Sequence, residues 1–111
     1  MPFITCSTNL SKESLPKDFV EWISELVSQV LGKPMERINT MLVPDLSMMR
    51  LGNSDPTMII QIHSIGVFDA ERNPSYTEKL IKAIHEKVNL PENRVVLQYF
   101  PVDPTMIGHV Q

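Results

Sequence analysis

Cysteine is almost absent from this sequence. Its single Cys6 rules out an internal disulfide and any cysteine-based metal cluster. Glycine is scarce as well, four residues with no Gly-x-Gly-x-x-Gly or Walker spacing, which argues against a phosphate-cradling loop. Excess positive charge is missing: ten Lys and Arg against thirteen Asp and Glu leave a net charge of −3, and the basic residues are scattered. A nucleic-acid partner is therefore not expected. No apolar run approaches the roughly 18–20 residues of a membrane span, so no membrane partner is expected either. The start, Met1-Pro2-Phe3-Ile4-Thr5, lacks the charged and apolar regions of a signal peptide. His63, His85 and His109 show no His-x-His or His-x-x-x-His spacing, so neither a metal nor a cofactor is expected. What is present is globular: 42% hydrophobic and 21% charged residues, enough for the modest core of one domain spanning residues 1–111.

The chain matches itself at an offset of about 57 residues. Leu31-Gly32-Lys33-Pro34-Met35-Glu36-Arg37-Ile38 falls on Val88-Asn89-Leu90-Pro91-Glu92-Asn93-Arg94-Val95, so both halves carry Pro-x-x-Arg before an apolar run. Phe19, Ile23 and Val27 fall on Tyr76, Leu80 and Ile84, the spacing of one helical face. The pseudo-repeats cover about 1–50 and 57–105, and each reads strand, helix, strand. In the first, a strand over Pro2–Thr8 precedes a helix with Ser14 as N-cap, Pro16 in the first turn, and Gly32 at its end. Phe19, Ile23, Leu26, Val27 and Val30 form its apolar stripe, and Ile38–Val43 is the returning strand. In the second, Met58–Ile65, a helix from Pro74 capped by Asn73, and Arg94–Phe100 repeat the pattern across a turn-rich link, Leu51–Pro56.

Strand–helix–strand crossovers are right-handed and make their two strands parallel. Two such units side by side give an α+β fold with a four-stranded sheet and both helices on one face. The other face, with Ile59, Ile65 and Leu97 or their alternates, lacks a cover, so the architecture predicts a homo-oligomer.

Among the residues with chemistry, Cys6 has no base at a fixed spacing and reads as a small buried hydrophobe. His85, at the end of a helix, suits the negative end of the dipole. Pro2 differs, because initiator methionine is removed when the next residue is small, leaving a secondary amine. An α-amino group titrates near 7.7–8.0, closer to neutrality than a lysine, and burial or nearby cations lower it further. A neutral amine near pH 7 is a competent general base. Lys33 and Arg37 would lower that amine's pKa and bind an acidic substrate if the helix exit lies beside the first strand.

Met1-Pro2-Phe3, Thr8-Asn9-Leu10, Leu31-Gly32-Lys33-Pro34, Ser64-Ile65-Gly66 and Tyr99-Phe100-Pro101 together resemble the macrophage migration inhibitory factor family, most of all its D-dopachrome tautomerase branch. The resemblance runs nearly end to end. It implies the tautomerase fold, assembled as a trimeric barrel of sheets around a central channel. It implies keto–enol tautomerisation of small aromatic 2-keto acids such as phenylpyruvate, or of dopachrome, whose decarboxylation is an alternative outcome. Pro2 would be the base, Lys33 would hold the substrate carboxylate, the Ile65 backbone would line the pocket, and Arg37 would be an anion contact at its rim. Val96 and Gln98 fall where the inhibitory factor has tyrosine and asparagine, supplied across the subunit interface; Val96 offers no acid. The family's Cys-x-x-Cys falls on Thr57 to Ile60, which excludes thiol–disulfide chemistry. The resemblance also implies a cytoplasmic protein released without a signal peptide and binding a cell-surface receptor, with Lys12 and Asp45 at receptor-linked positions. The alternative is a signalling protein whose tautomerase pocket is vestigial.

Overall fold

The computed structural model describes residues 1–110. Strand β1 (Phe3–Thr8) leads to helix α1 (Phe19–Leu31) and strand β2 (Asn39–Val43); strand β3 (Met58–Ser64) leads to helix α2 (Asn73–Val88) and strand β4 (Val95–Pro101). The sheet order is β2-β1-β3-β4. β1 runs parallel to β2 and β3 parallel to β4, as each crossover requires, and the two units meet antiparallel through β1 and β3.

The alternation of side chains along each strand sorts the sheet into two faces. Ile4, Cys6, Met58, Ile60 and Ile62 are buried beneath the helices, against Phe19, Ile23, Val27 and Leu31 of α1 and Leu80 and Ile84 of α2. These helical residues recur at i and i+4, the spacing that keeps an apolar stripe on the sheet. The opposite face carries Phe3, Thr5, Ile59, Gln61, His63, Val96, Gln98 and Phe100. Leu97, expected on this open face, turns the other way with Tyr99 and packs on the core. Edge strand β2 leaves Met41 61% and Val43 37% exposed. No helix among the described residues is long and apolar enough to cross a membrane.

The internal repeat reaches individual atoms. Short 3-10 turns at Met35–Arg37 and Glu92–Arg94 occupy matching places, each started by a proline. Gly32 and Asn89, also matching, both cap their helices in the left-handed region, at φ 68° and 62°. Ser28 Oγ donates to the Lys33 carbonyl at 2.5 Å, and the matching His85 Nδ1 faces the Leu90 carbonyl, to which it must donate. His85 thus pins the exit of α2 by a hydrogen bond. A Cβ at Gly32 would meet nothing within 4 Å, so only the backbone resists substitution there. Gly32→Ala is expected to cost about 1 kcal/mol, whereas Asn89→Gly should be neutral or mildly stabilising; thermal unfolding of the two variants checks the contrast.

Both expected N-caps are displaced. α1 begins after Asp18, while Ser14 closes a separate 3-10 turn, Lys12–Ser14, capped by Ser11. Pro16 lies before the helix, and its carbonyl accepts the Phe19 N–H. At α2 the Asn73 side chain reaches back to the Asp69 N–H at 3.1 Å and orders the incoming loop.

Candidate active site

The N-terminal edge of β1 is where the two units converge. Pro2 is fully buried, and its carbonyl accepts the Asn39 N–H at 3.0 Å and Asn39 Nδ2 at 3.4 Å. Those bonds extend the β1–β2 ladder by one residue and fix where the chain's start must lie. Met1 projects beyond it into an open cleft of about 510 Å³. Glu36, Arg37 and Ile65 line one part of that cleft, and Pro104, Ile107 and His109 the rest.

Lys33 arrives there because Gly32 reverses the chain at the end of α1. Its N–H donates to the Ser28 carbonyl at 3.0 Å, and its Nζ donates to the Ile65 carbonyl at 3.1 Å. Arg37 closes the 3-10 turn begun by Pro34, with its N–H on the Pro34 carbonyl at 3.0 Å. Burial, followed by the charges of Lys33 and then Arg37, holds the Met1 amine below its ordinary 8.0. Cations this close disfavour an ammonium and favour an incoming carboxylate. A group able to accept a proton therefore sits beside groups able to hold an anion.

Pro2, Lys33, Arg37 and Ile65 are brought together in one chain; Val96 and Gln98 are not. Both lie on the open sheet face, Val96 opposite Ile59 and Gln98 opposite Gln61, whose amide donates to Gln98 Oε1 at 3.0 Å. Lys12 and Asp45 lie outside the cleft, linked by the Lys12 N–H on Asp45 Oδ2 at 3.4 Å. Cys6 is buried and its thiol is pushed up to about 12 by desolvation, so it is not a nucleophile. Thr57 is buried, and its Oγ1 donates to the Arg94 carbonyl at 2.8 Å.

Sequence reasoning missed Glu36 and the wall formed by Pro104, Ile107 and His109. Glu36 neighbours Arg37 on the turn Met35–Arg37, and both line the cleft, which adjacency alone could have raised. The tail wall had one readable signal, Asp103-Pro104-Thr105: the Asp103 carboxylate accepts the Thr105 N–H and hydroxyl, both at 2.9 Å, and shapes a 3-10 turn. The Val102 N–H on the Ser64 carbonyl, at 2.9 Å, then lays that tail beside the end of β3.

Against known proteins, the sequence matches the macrophage migration inhibitory factor (MIF) family over residues 1–110. The chain belongs to that family. It is 35% identical to D-dopachrome decarboxylase-B of Xenopus laevis, over 97% of this chain and 92% of that one. It is 32% identical to the macrophage migration inhibitory factor of Xenopus tropicalis, over 97% and 94%. The solved macrophage migration inhibitory factor of Trichinella spiralis superposes with a TM-score of 0.91 at 25% identity, covering 96% of this chain and 95% of that one. The four-stranded sheet with its two helices is thus the MIF tautomerase fold. Membership carries tautomerase and cytokine-like roles at the level of the family.

Proposed function

We propose that the whole chain acts as a single-domain keto–enol tautomerase of small aromatic 2-keto acids or of dopachrome, with Pro2 as its general base. The observation that carries this reading is the meeting of Met1, Arg37 and Ile65 in one cleft, with the Lys33 ammonium held at its edge on the Ile65 carbonyl and acting on the Met1 amine. Loss of Met1 would leave the Pro2 nitrogen as a secondary amine beneath the same cations. The neutral amine takes the enol O–H proton and returns it to the neighbouring carbon; in the keto-to-enol direction the proton moves the other way. The Lys33 ammonium has three donors and spends one on Ile65, so two remain for the substrate carboxylate. Arg37 is a second anion contact at the rim.

Val96 and Gln98 enter this reading as substrate contacts supplied by a neighbouring copy. The uncovered sheet face, where Phe3, Ile59, Val96 and Phe100 mix with polar residues, and the exposed Met41 and Val43 on edge strand β2 favour a homotrimer, in which one subunit's β4 closes another's cleft. Localisation follows the family expectation, cytoplasmic with release independent of a signal peptide. A cytokine-like role at a cell-surface receptor with a vestigial pocket is the second reading, favoured by the aliphatic Val96, which cannot donate a proton.

The test is ketonisation of enol-phenylpyruvate followed in the ultraviolet, with dopachrome as second substrate, on protein whose mass confirms loss of Met1. Turnover of either supports the enzyme; turnover of neither leaves the signalling reading. In the active protein, Lys33→Ala should raise KM about 10- to 100-fold, the worth of a charge-assisted hydrogen bond, with a smaller change in kcat.

A further inference from the structure

Ser64 holds the structure's unexplained hydroxyl. The residue is fully buried at the end of β3, and its Oγ has no hydrogen-bond partner among the described residues. Buried hydroxyls are normally paired, and an orphan asks for a reason. Its own carbonyl is already used by the Val102 N–H.

The ladder supplies the reason. β1 and β3 pair antiparallel with Phe3 opposite His63 and Ile4 opposite Ile62, so one further step sets Pro2 opposite Ser64. Residues opposite each other share a face, and their Cβ atoms lie about 4.5–5.5 Å apart. Pro2 and Ser64 both fall on the buried, even-numbered side of their strands with Ile4 and Ile62. While Met1 is attached, the Pro2 nitrogen is a tertiary amide, with no N–H to give and no basic lone pair. Removing Met1 creates a secondary amine that has both, next to an oxygen that lacks a partner.

We propose that Ser64 is the positioning residue for the Pro2 amine: its hydroxyl oxygen accepts the amine N–H and turns the nitrogen lone pair toward the cleft. The inference rests on Pro2 as the base of the proposed tautomerase. With its N–H held by Ser64, the neutral nitrogen presents only its lone pair to the enol proton; once protonated, its second N–H points back at the substrate carbon. The titratable groups around this amine are Lys33 beyond α1, Glu36 and Arg37 before β2, and His109 of the tail. His63, adjacent on β3, faces the opposite side of the sheet.

The test compares Ser64→Ala in protein that retains Met1, made by blocking its aminopeptidase, and in protein that has lost it. In the retained form the variant deletes an orphan, and Tm should stay or rise. In the processed form it deletes a hydrogen bond, and Tm should fall by roughly 4 °C or more. A shift of equal sign and size in both forms overturns the proposal, whether or not either is active. In the active processed enzyme, kcat should fall about tenfold with KM unchanged. The acid limb of its pH profile should move to lower pH, because an acceptor favours the protonated amine. Ser64→Thr, which keeps the hydroxyl, should restore both; an unmoved kcat and limb in Ser64→Ala also overturns the proposal. Opposite Tm responses in an inactive parent would sink the tautomerase and leave the Ser64–Pro2 contact standing.

Discussion

Pro2→Gly should reduce ketonisation of enol-phenylpyruvate by about 10²- to 10⁴-fold, the usual contribution of a positioned proton-transfer group. Glycine still ends in an amine, so the loss measures the ring: a secondary nitrogen locked by its pyrrolidine and packed in a fully buried site. The variant keeps the main-chain carbonyl that Asn39 binds at 3.0 Å, so the sheet should survive and Tm should drop modestly. Burial, Lys33 and Arg37 hold the Met1 amine below its ordinary 8.0; the Pro2 amine that replaces it lies near the same cations, so activity should rise with pH along an acid limb at lower pH than an exposed proline amine would give. Only the neutral amine can accept the substrate proton, which sets the sign: protonation on acidification switches the base off. A rate that ignores Pro2→Gly would show that the pyrrolidine ring is not needed and that any terminal amine at this place suffices. Receptor binding that persists in an inactive Pro2→Gly would separate the signalling surface from the cleft.

Arg94→Ala should lower the free energy of unfolding by about 3–5 kcal/mol, read from the urea midpoint, since hydrogen bonds to charged groups contribute about 1.5–3 kcal/mol each. Arg94 is 6% exposed and pairs with no carboxylate among the described residues. Its Nε donates to the Pro56 carbonyl at 3.1 Å, Nη1 to Arg50 at 2.8 Å, and Nη2 to Asp55 at 2.5 Å. These three carbonyls belong to the segment joining the two halves; truncating Arg94 strands that of Pro56 and leaves those of Arg50 and Asp55 only the Asn53 N–H and Asn9 Nδ2. Arg50 answers by donating its own Nε to the Asn93 carbonyl at 2.8 Å, so link and β4 entry hold each other. Arg37→Ala, at the matching place in the first half, should leave stability within about 0.5 kcal/mol, as for a surface substitution, and act on KM. If the two variants cost the same in urea, the division of labour between them is wrong.

That pair also marks how far the sequence can be read. The repeated Pro-x-x-Arg announced two equivalent turns, and the turns are equivalent, down to Ser28 and His85 reaching the carbonyl after each helix cap. It could not announce that Arg37 borders a cleft while Arg94 is buried, because burial depends on what packs over the turn. The link between the halves covers one arginine and not the other. Strand parity was readable for β3, where Ile60 and Ile62 alternate with Gln61 and His63, but not for β4. There Val95, Val96 and Leu97 are all apolar, so nothing in the pattern told Leu97 from Val96. Ser14 and Asn73 are both good capping residues, yet Ser14 donates to the Ser11 carbonyl and Asn73 accepts the Asp69 N–H, both in turns ahead of their helices, since local hydrogen bonds of Ser and Asn serve turns as readily as helix starts. The cations of the cleft were legible from spacing within one repeat. Its tail wall was not, because Ile107 and His109 follow a segment without periodicity.

Met1 borders the same cavity as Ile107 and His109, residues from opposite extremes of the described chain. Most folds leave their termini as spare handles. Here an affinity tag on the first residue would block the amine outright, so the proposed activity can be judged only with that end untagged.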